Sequence, residues 1–190
     1  MFEDLILYAK ENKVPIIKDE GLEVILSEIK NHSFKSCLEI GTAIGYSAIR
    51  IASFGLEVTS VERNEEMYNL AINNIKKYNL NEKIEVVLTD ALNYTPTKKY
   101  DLIFIDAAKA QNIKFFERFS PYLNDGGEII VDNLDFHGLV GSDPSTLSKN
   151  LRSLTKKISE FIDWLKNNED YDTIITHKGD GMSISKKKCC

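Results

Sequence analysis

Apolar positions along the chain follow two rhythms, one near 3.6 residues and one of short unbroken runs. Leu5, Ile6 and Tyr8 predict a short helix over 2–11. Val14-Pro15-Ile16-Ile17 reads as extended, because a proline biases its predecessor away from the helical region. Asp19 is placed to cap a helix over about 20–31, with Leu22, Ile25, Leu26 and Ile29 on one face. Strands and helices then alternate. Strand 37–41 leads to helix 46–54, and strand 58–61 runs up to Glu62 and helix 64–78. Strand 84–88 ends near Asp90, and strand 100–105 ends at Asp106, followed by a helix over 109–123. Strand 127–131 ends at Asp132-Asn133. Leu102-Ile103-Phe104-Ile105 and Ile129-Ile130-Val131 are continuous apolar runs, as expected of parallel strands covered on both faces.

After a loop through Gly138, Gly141 and Pro144, a helix over 145–168 carries a stripe of Leu147, Leu151, Leu154, Ile158, Ile162 and Leu165. Strands over about 171–176 and 182–186 flank Gly179-Asp180-Gly181, a hairpin signal. The pattern predicts one doubly wound α/β domain over 1–190: N-terminal helices in 1–31, a ligand-binding core in 37–133, and a C-terminal helix and hairpin in 145–188.

Composition narrows the class. The chain has 190 residues, enough for one domain with a sizeable core, and 43% hydrophobic and 28% charged residues are ordinary for a globular protein. A net charge of −5 does not describe a general nucleic-acid binder, though it allows a local basic patch. No apolar run approaches membrane-spanning length, and the acidic start Met1-Phe2-Glu3-Asp4 lacks a signal-peptide pattern. Three cysteines are too few for a disulfide framework; Cys37 reads as a buried small hydrophobe and Cys189-Cys190 as a loose end. A cytoplasmic location is expected.

Residues 37–47, Cys37-Leu38-Glu39-Ile40-Gly41-Thr42-Ala43-Ile44-Gly45-Tyr46-Ser47, read as a strand, a glycine turn and a helix start. Such a turn brings backbone close to a ligand, and the helix N–H groups can hold an anionic group. The spacing is G-x-x-x-G, so the turn alone is equally a plain strand-to-helix joint. Four consecutive strands end in acids: Glu62, Asp90, Asp106 and Asp132. Any one of these can be a turn-former. Together they line the edge where α/β sheets bind ligands. Glu62, about 20 residues past the turn, suits ribose hydroxyls. Asp90 with Ala91 would flank a base. Asp106, Asp132 and Asn133 supply hard oxygen ligands suited to Mg²⁺, and two such carboxylates side by side are unfavourable without a cation. Lys109, three residues past Asp106, could accept a proton beside that cation; the alternative is a solvated surface lysine.

Glu39-Ile40-Gly41-Thr42-Ala43-Ile44-Gly45-Tyr46-Ser47, Glu62, Asp106-Ala107-Ala108-Lys109 and Val131-Asp132-Asn133 together resemble the cation-dependent O-methyltransferases related to catechol O-methyltransferase. The resemblance runs from about Val14 to the closing hairpin. It implies a Rossmann-like class I methyltransferase sheet, order 3-2-1-4-5-7-6 with the seventh strand antiparallel. It implies that Glu39 and Ser47 hold the amino and carboxylate ends of S-adenosylmethionine, that Gly41 admits its methionine part, that Glu62 binds the ribose, and that Asp90 and Ala91 meet the adenine. It also implies Mg²⁺ (or Mn²⁺) on Asp106, Asp132 and Asn133, with Lys109 as base. Related enzymes are commonly homodimers.

Within that family the chain most resembles bacterial tRNA 5-hydroxyuridine methyltransferases, which act in the anticodon loop. The 5-hydroxyl and 4-carbonyl of that base are vicinal oxygens, as in a catechol. The chain also lacks the longer N-terminal segment with which plant phenylpropanoid enzymes cover their substrate. Lys149, Arg152 and Lys156 form a basic face on the 145–168 helix, to which Lys35 and Lys186–Lys188 are expected to add; a solvated helix face is the plainer alternative. His137 follows the metal motif and could line the acceptor cleft or be structural. A small catechol or other vicinal phenol is the alternative acceptor. An NAD-dependent oxidoreductase would use the same sheet and Glu62, but the glycine spacing, the missing substrate domain and the unused Asp106, Asp132 and Asn133 speak against it. A non-catalytic nucleotide- or RNA-binding module would leave the filled catalytic positions unexplained.

Overall fold

The computed structural model describes residues 2–135, 138–140, 143, 145 and 147–188. His137, Gly141, Pro144, Cys189 and Cys190 lie outside the described residues. The strands β1 (Ser36–Ile40), β2 (Glu57–Glu62), β3 (Ile84–Leu88), β4 (Tyr100–Ile105), β5 (Leu123–Asp132), β6 (Tyr171–Thr176) and β7 (Met182–Lys187) form one seven-stranded sheet in the order β3-β2-β1-β4-β5-β7-β6. The pairs from β3 through β5 are parallel, and β7 runs antiparallel to both β5 and β6. This is the topology the family resemblance implies.

The apolar runs explain why the sheet is covered on both faces. Side chains alternate along a strand, so Leu102 and Phe104 of β4 join one core while Ile103 and Ile105 join the other. The first core is closed by α2 (Asp19–His32), α3 (Tyr46–Ser53) and α4 (Glu65–Lys77), through Leu22, Ile25, Ile49, Ala71 and Ile75. The second is closed by α5 (Asn112–Phe119) and α6 (Lys149–Lys166), through Phe115, Phe116, Phe119, Ile158, Phe161 and Leu165. Cys37 is fully buried in the first core, as a small hydrophobe. The remaining helix, α1 (Glu3–Asn12), adds Leu5 and Ala9 to that core. Among the described residues no helix is long and apolar enough to cross a membrane.

Several boundaries differ from the sequence reading, each for a local reason. Asp19 does not cap α2; Lys18 holds the cap position without a side-chain bond, and Asp19 is the first helical residue, its carboxylate accepting from the Tyr46 hydroxyl at 3.4 Å. The helix expected over 109–123 is broken into a 3₁₀ turn at Lys109–Gln111, α5, and a second 3₁₀ turn at Ser120–Tyr122. Pro121 lacks the N–H that would continue α5. β5 starts at Leu123 rather than at 127, because an irregular register lets Leu123 pair with Tyr100 before Glu128 pairs with Leu102. The last helix starts at Lys149: Ser148 Oγ accepts from Leu151 N at 3.4 Å, which leaves Leu147 outside it.

An aromatic cluster fixes α5 and α6 to the end of the sheet. The Phe116 ring lies 5.1 Å from Trp164, 5.0 Å from Tyr171 and 6.3 Å from Phe161, centroid to centroid, with edge-on or tilted geometry. Phe116 is 1% exposed. Phe116→Ala should therefore cost about 3–5 kcal/mol of unfolding free energy, the range for a buried aromatic lost to a cavity, as read from urea denaturation.

Candidate active site

A cleft of about 910 Å³ opens over the carboxyl ends of the parallel strands. Gly41, Ser47, Glu62, Asp90, Ala91, Asp106, Lys109, Asp132 and Asn133 all line it. The four strand-end acids thus meet at one opening. Parallel pairing is the cause, because it brings the ends of β1, β2, β3, β4 and β5 to the same edge.

Gly41 is where the cleft is narrowest in backbone terms. Its φ is +102°, and a Cβ built there would stand 2.1 Å from the Asp106 carbonyl oxygen. Only glycine permits both that conformation and that approach. Gly41 N donates to Val61 O at 3.0 Å, and Asp106 N donates to Ile40 O at 2.9 Å, so the turn is clamped between β2 and β4. Gly45 (φ +84°) then starts α3.

Glu39 departs from the expectation of a residue facing the cofactor. It does not line the cleft and is fully buried beneath the turn. Ser60 Oγ donates to its Oε2, the Thr42 and Ser60 hydroxyls are bonded to each other at 2.6 Å, and Ser47 bonds the same carboxylate. Its Oε1 is buried without a hydrogen-bond partner. Burial pushes its pKa up to about 7, against the pull of the serine bonds and with a further push from Asp106 and Glu62. A buried acceptor left over below the cleft fits a cationic donor such as an ammonium group. Ser60 and Thr42, which build this relay, carry no sequence signal beyond small polar residues in a strand and a turn.

Glu62 is held by four backbone donors. Its Oε2 accepts from Thr42 N (3.2 Å) and Ala43 N (2.9 Å), and its Oε1 from Arg63 N (2.9 Å) and Asn64 N (2.8 Å). The carboxylate therefore shapes the glycine turn as well as facing the cleft. Asp90 caps the short 3₁₀ turn at Ala91–Asn93, its Oδ1 accepting from Leu92 N at 2.8 Å.

Asp106, Asp132 and Asn133 converge as expected. Asn133 Nδ2 donates to Asp106 Oδ1 at 3.1 Å and to Asp132 Oδ2 at 3.2 Å. Asp132 is 4% exposed and its Oδ1 has no partner. Burial raises both carboxyls; Asp132 reaches about 7, with the neighbouring Asp106 charge adding to the rise. Lys109 pulls Asp106 the other way. Two crowded acids, an orphaned oxygen and an amide that presents its oxygen after half a turn about its last torsion form a donor set that fits a hard divalent cation. Asn133 itself is in the left-handed region (φ +69°), and the next residues are anchored to the hairpin: Leu134 N donates to Gly181 O and Asp135 N to Asp180 O, both at 2.8 Å. Asp180 also lines the cleft, bonded to Lys18 Nζ at 2.7 Å. Its position in Gly179-Asp180-Gly181 reads from sequence only as a turn.

The basic residues sort by topology. Lys149, Arg152 and Lys156 are exposed on α6, and Lys156 faces Glu160 at 3.7 Å. α6 packs on the Lys109–Gln111 turn. Lys35 and Lys186–Lys188 do not join them. They lie at the opposite end of the sheet, since Lys35 precedes β1 and Lys186 pairs with Glu128 at the start of the apolar part of β5. The cleft has other cations that the sequence reading passed over: Lys10, Lys13, Lys18 and Arg63 line it. Lys10 lies in the last turn of α1 and Lys13 just past its end.

Sheet order and cleft together define a Rossmann-like domain of the methyltransferase type. The chain belongs to the O-methyltransferase family, whose pattern it matches over residues 8–188. A candidate caffeoyl-CoA O-methyltransferase from Staphylococcus aureus is similar at 38% identity and TM-score 0.94, with 98% of this chain and 92% of that one covered. The O-methyltransferase from Bacillus cereus, solved in complex with SAH, is similar at 25% identity and TM-score 0.83, covering 98% and 90%. The caffeoyl-CoA O-methyltransferase of Medicago sativa is 27% identical over 185 residues, 89% of this chain and 73% of that protein.

The raised Asp132 carboxyl gives a pH prediction for the metal-free protein. A group whose folded pKa lies above its unfolded value, here about 7 against 3.8, binds its proton more tightly when folded. Its stabilising contribution is full below pH 3.8 and is lost as pH rises through 7. In EDTA, unfolding free energy should fall between pH 4 and 7 with a component that Asp132→Asn removes; an identical profile in that variant would show that Asp132 does not titrate this way.

Proposed function

We propose that the chain is an S-adenosylmethionine- and divalent-cation-dependent O-methyltransferase whose acceptor carries two vicinal oxygens, and that this acceptor is 5-hydroxyuridine at the tRNA wobble position, converted to 5-methoxyuridine. The observation that carries the first half is the gathering of Glu62, Asp106 and Asp132 at one cleft, with Asp132 Oδ1 left without a donor there and Glu39 Oε1 left without one beneath the turn. Such a cleft has room for cations from its ligands. S-adenosylmethionine brings an ammonium and a sulfonium. Glu39 and Ser47 would take the ends of its methionine part, the Gly41 turn would admit its backbone-side atoms, Glu62 would accept from the ribose, and Asp90 and Ala91 would bound the adenine.

Asp106, Asp132 and Asn133 would hold Mg²⁺ or Mn²⁺, whose charge, when bound, lowers the pKa of an acceptor hydroxyl. Lys109, on the 3₁₀ turn that follows Asp106 and in the cleft lining, would take the hydroxyl proton on Nζ. The walls of the cleft fix the acceptor oxygen relative to the methyl group, and proximity then contributes much of the rate.

The cationic rim supports a polyanionic acceptor. Lys10, Lys13 and Arg63 are exposed residues of the cleft lining, in a chain with net charge −5. Lys149 and Arg152, on the first turn of α6, would extend that rim, with Lys156 one turn further. Phosphate contacts of this kind position a nucleic acid without reading its sequence. A small catechol is the second reading; the same donor set would chelate its two oxygens, and the relatives named as caffeoyl-CoA O-methyltransferases favour a phenol.

Methyl transfer from labelled S-adenosylmethionine, with Mg²⁺ or EDTA, to tRNA bearing 5-hydroxyuridine and to a catechol separates the readings. Mg²⁺-dependent labelling of the tRNA at the higher kcat/KM is expected. Lys109→Ala should lower kcat by about 10²–10⁴ with cofactor affinity kept, and a near-normal rate would remove Lys109 as the base. Charge reversal at Lys10 and Lys13 should lower kcat/KM for tRNA by about tenfold or more and flatten its salt dependence; an equal loss for the catechol would count against the RNA acceptor.

A further inference from the structure

A second cluster of ligand-type side chains sits at the other end of the sheet. Glu28 and His32 are four residues apart on α2, so they share a face of the helix. Glu128, on β5, points to the same place. His32 Nε2 lies 3.4 Å from Glu28 Oε2 and 3.2 Å from Glu128 Oε1, and one ligand atom from each of the three residues lies within 4.8 Å of the others. Glu128 is only 3% exposed, and its Oε2 is buried with no hydrogen-bond partner. The His32 ring is held by stacking on Phe34, with centroids 5.3 Å apart and planes 23° apart.

We infer that Glu28, His32 and Glu128 form a binding site for a divalent transition ion of the zinc class, pinning α2 to β5 at the end of the sheet away from the methyl-transfer cleft. The donor set, one imidazole and two carboxylates, is a borderline one that such ions prefer and that leaves a fourth position for water. The spacing also fits. Zn–N and Zn–O bonds of about 2.0–2.1 Å in a tetrahedron put neighbouring ligand atoms roughly 3.3 Å apart. The two measured separations bracket that value. Charge points the same way. Two carboxylates crowd around one imidazole, and burial together with Glu28 pushes Glu128 up to about 7. Lys186, across the β5–β7 pair, offsets only part of this. The competing account is a proton-bridged ion cluster, with His32 charged between the two glutamates and no metal.

The test uses the full chain, stripped with EDTA, and Zn²⁺ alone as probe. Histidine-ring nitrogen NMR reads the site directly; the chain has three histidines, so His32 is assigned by comparison with His32→Gln. One equivalent of Zn²⁺ should shift the His32 Nε2 signal. By calorimetry, Glu128→Gln should lose one equivalent of Zn²⁺, whereas Asp132→Asn, altered in the other site, should retain it. A His32 signal unchanged by saturating Zn²⁺ overturns the proposal. Equal Zn²⁺ uptake by wild type and Glu128→Gln also overturns it, and leaves the proton-bridged cluster.

Discussion

Negative charge held out of water is the constraint around which this molecule is built. Glu39, Asp106 and Asp132 stand at the ends of β1, β4 and β5, in a region dry enough to raise each of their carboxyl pKa values. Apolar residues of similar size would cost less there. The fold keeps the acids in place with backbone rather than with salt bridges. The Gly41 turn presses against the Asp106 carbonyl, and Leu134 and Asp135 are bonded to the closing hairpin. The energetic deficit of this cleft is of the sign that cationic groups of a ligand offset.

Charge is also distributed along the sheet axis. Acids at the carboxyl ends of the strands share the cleft with Lys10, Lys13, Lys18 and Arg63. Lys35 and Lys186–Lys188, equally basic on paper, serve the far end. A net charge of −5 hides this arrangement, because it sums over faces that never meet the same partner.

The sheet was legible because β4 and β5 hold continuous apolar runs, because four successive strands lead into acids, and because both turns that matter carry glycine. Strand order needed the family resemblance, since periodicity alone does not order strands. What sequence could not reach was cooperative or local. Pro121 breaks a helix whose apolar spacing continues across it. Ser148 wins the cap of α6 although Leu147 keeps the stripe. Glu39 has the motif of a ligand-facing residue yet lies beneath the turn, and only Ser60 on the neighbouring strand, bonded to Thr42 in the turn, explains why. Asp180 reads as turn chemistry until the hairpin folds against Asp132.

The hairpin has a consequence for how the protein comes into being. β7 follows β6 in the chain, yet it is inserted between β5 and β6, and the hairpin turn before it holds the segment that follows Asn133. The strands that form the Gly41 turn and carry Glu62 and Asp106 precede it in the chain and pair with one another without it. A nascent chain can therefore assemble the Gly41 side of the cleft while the segment after Asn133 is still unanchored. Closing long-range antiparallel pairs is intrinsically slow. The Gly41 side of the cleft and the Asn133 side are thus separated in time, with the second waiting on closure of the hairpin.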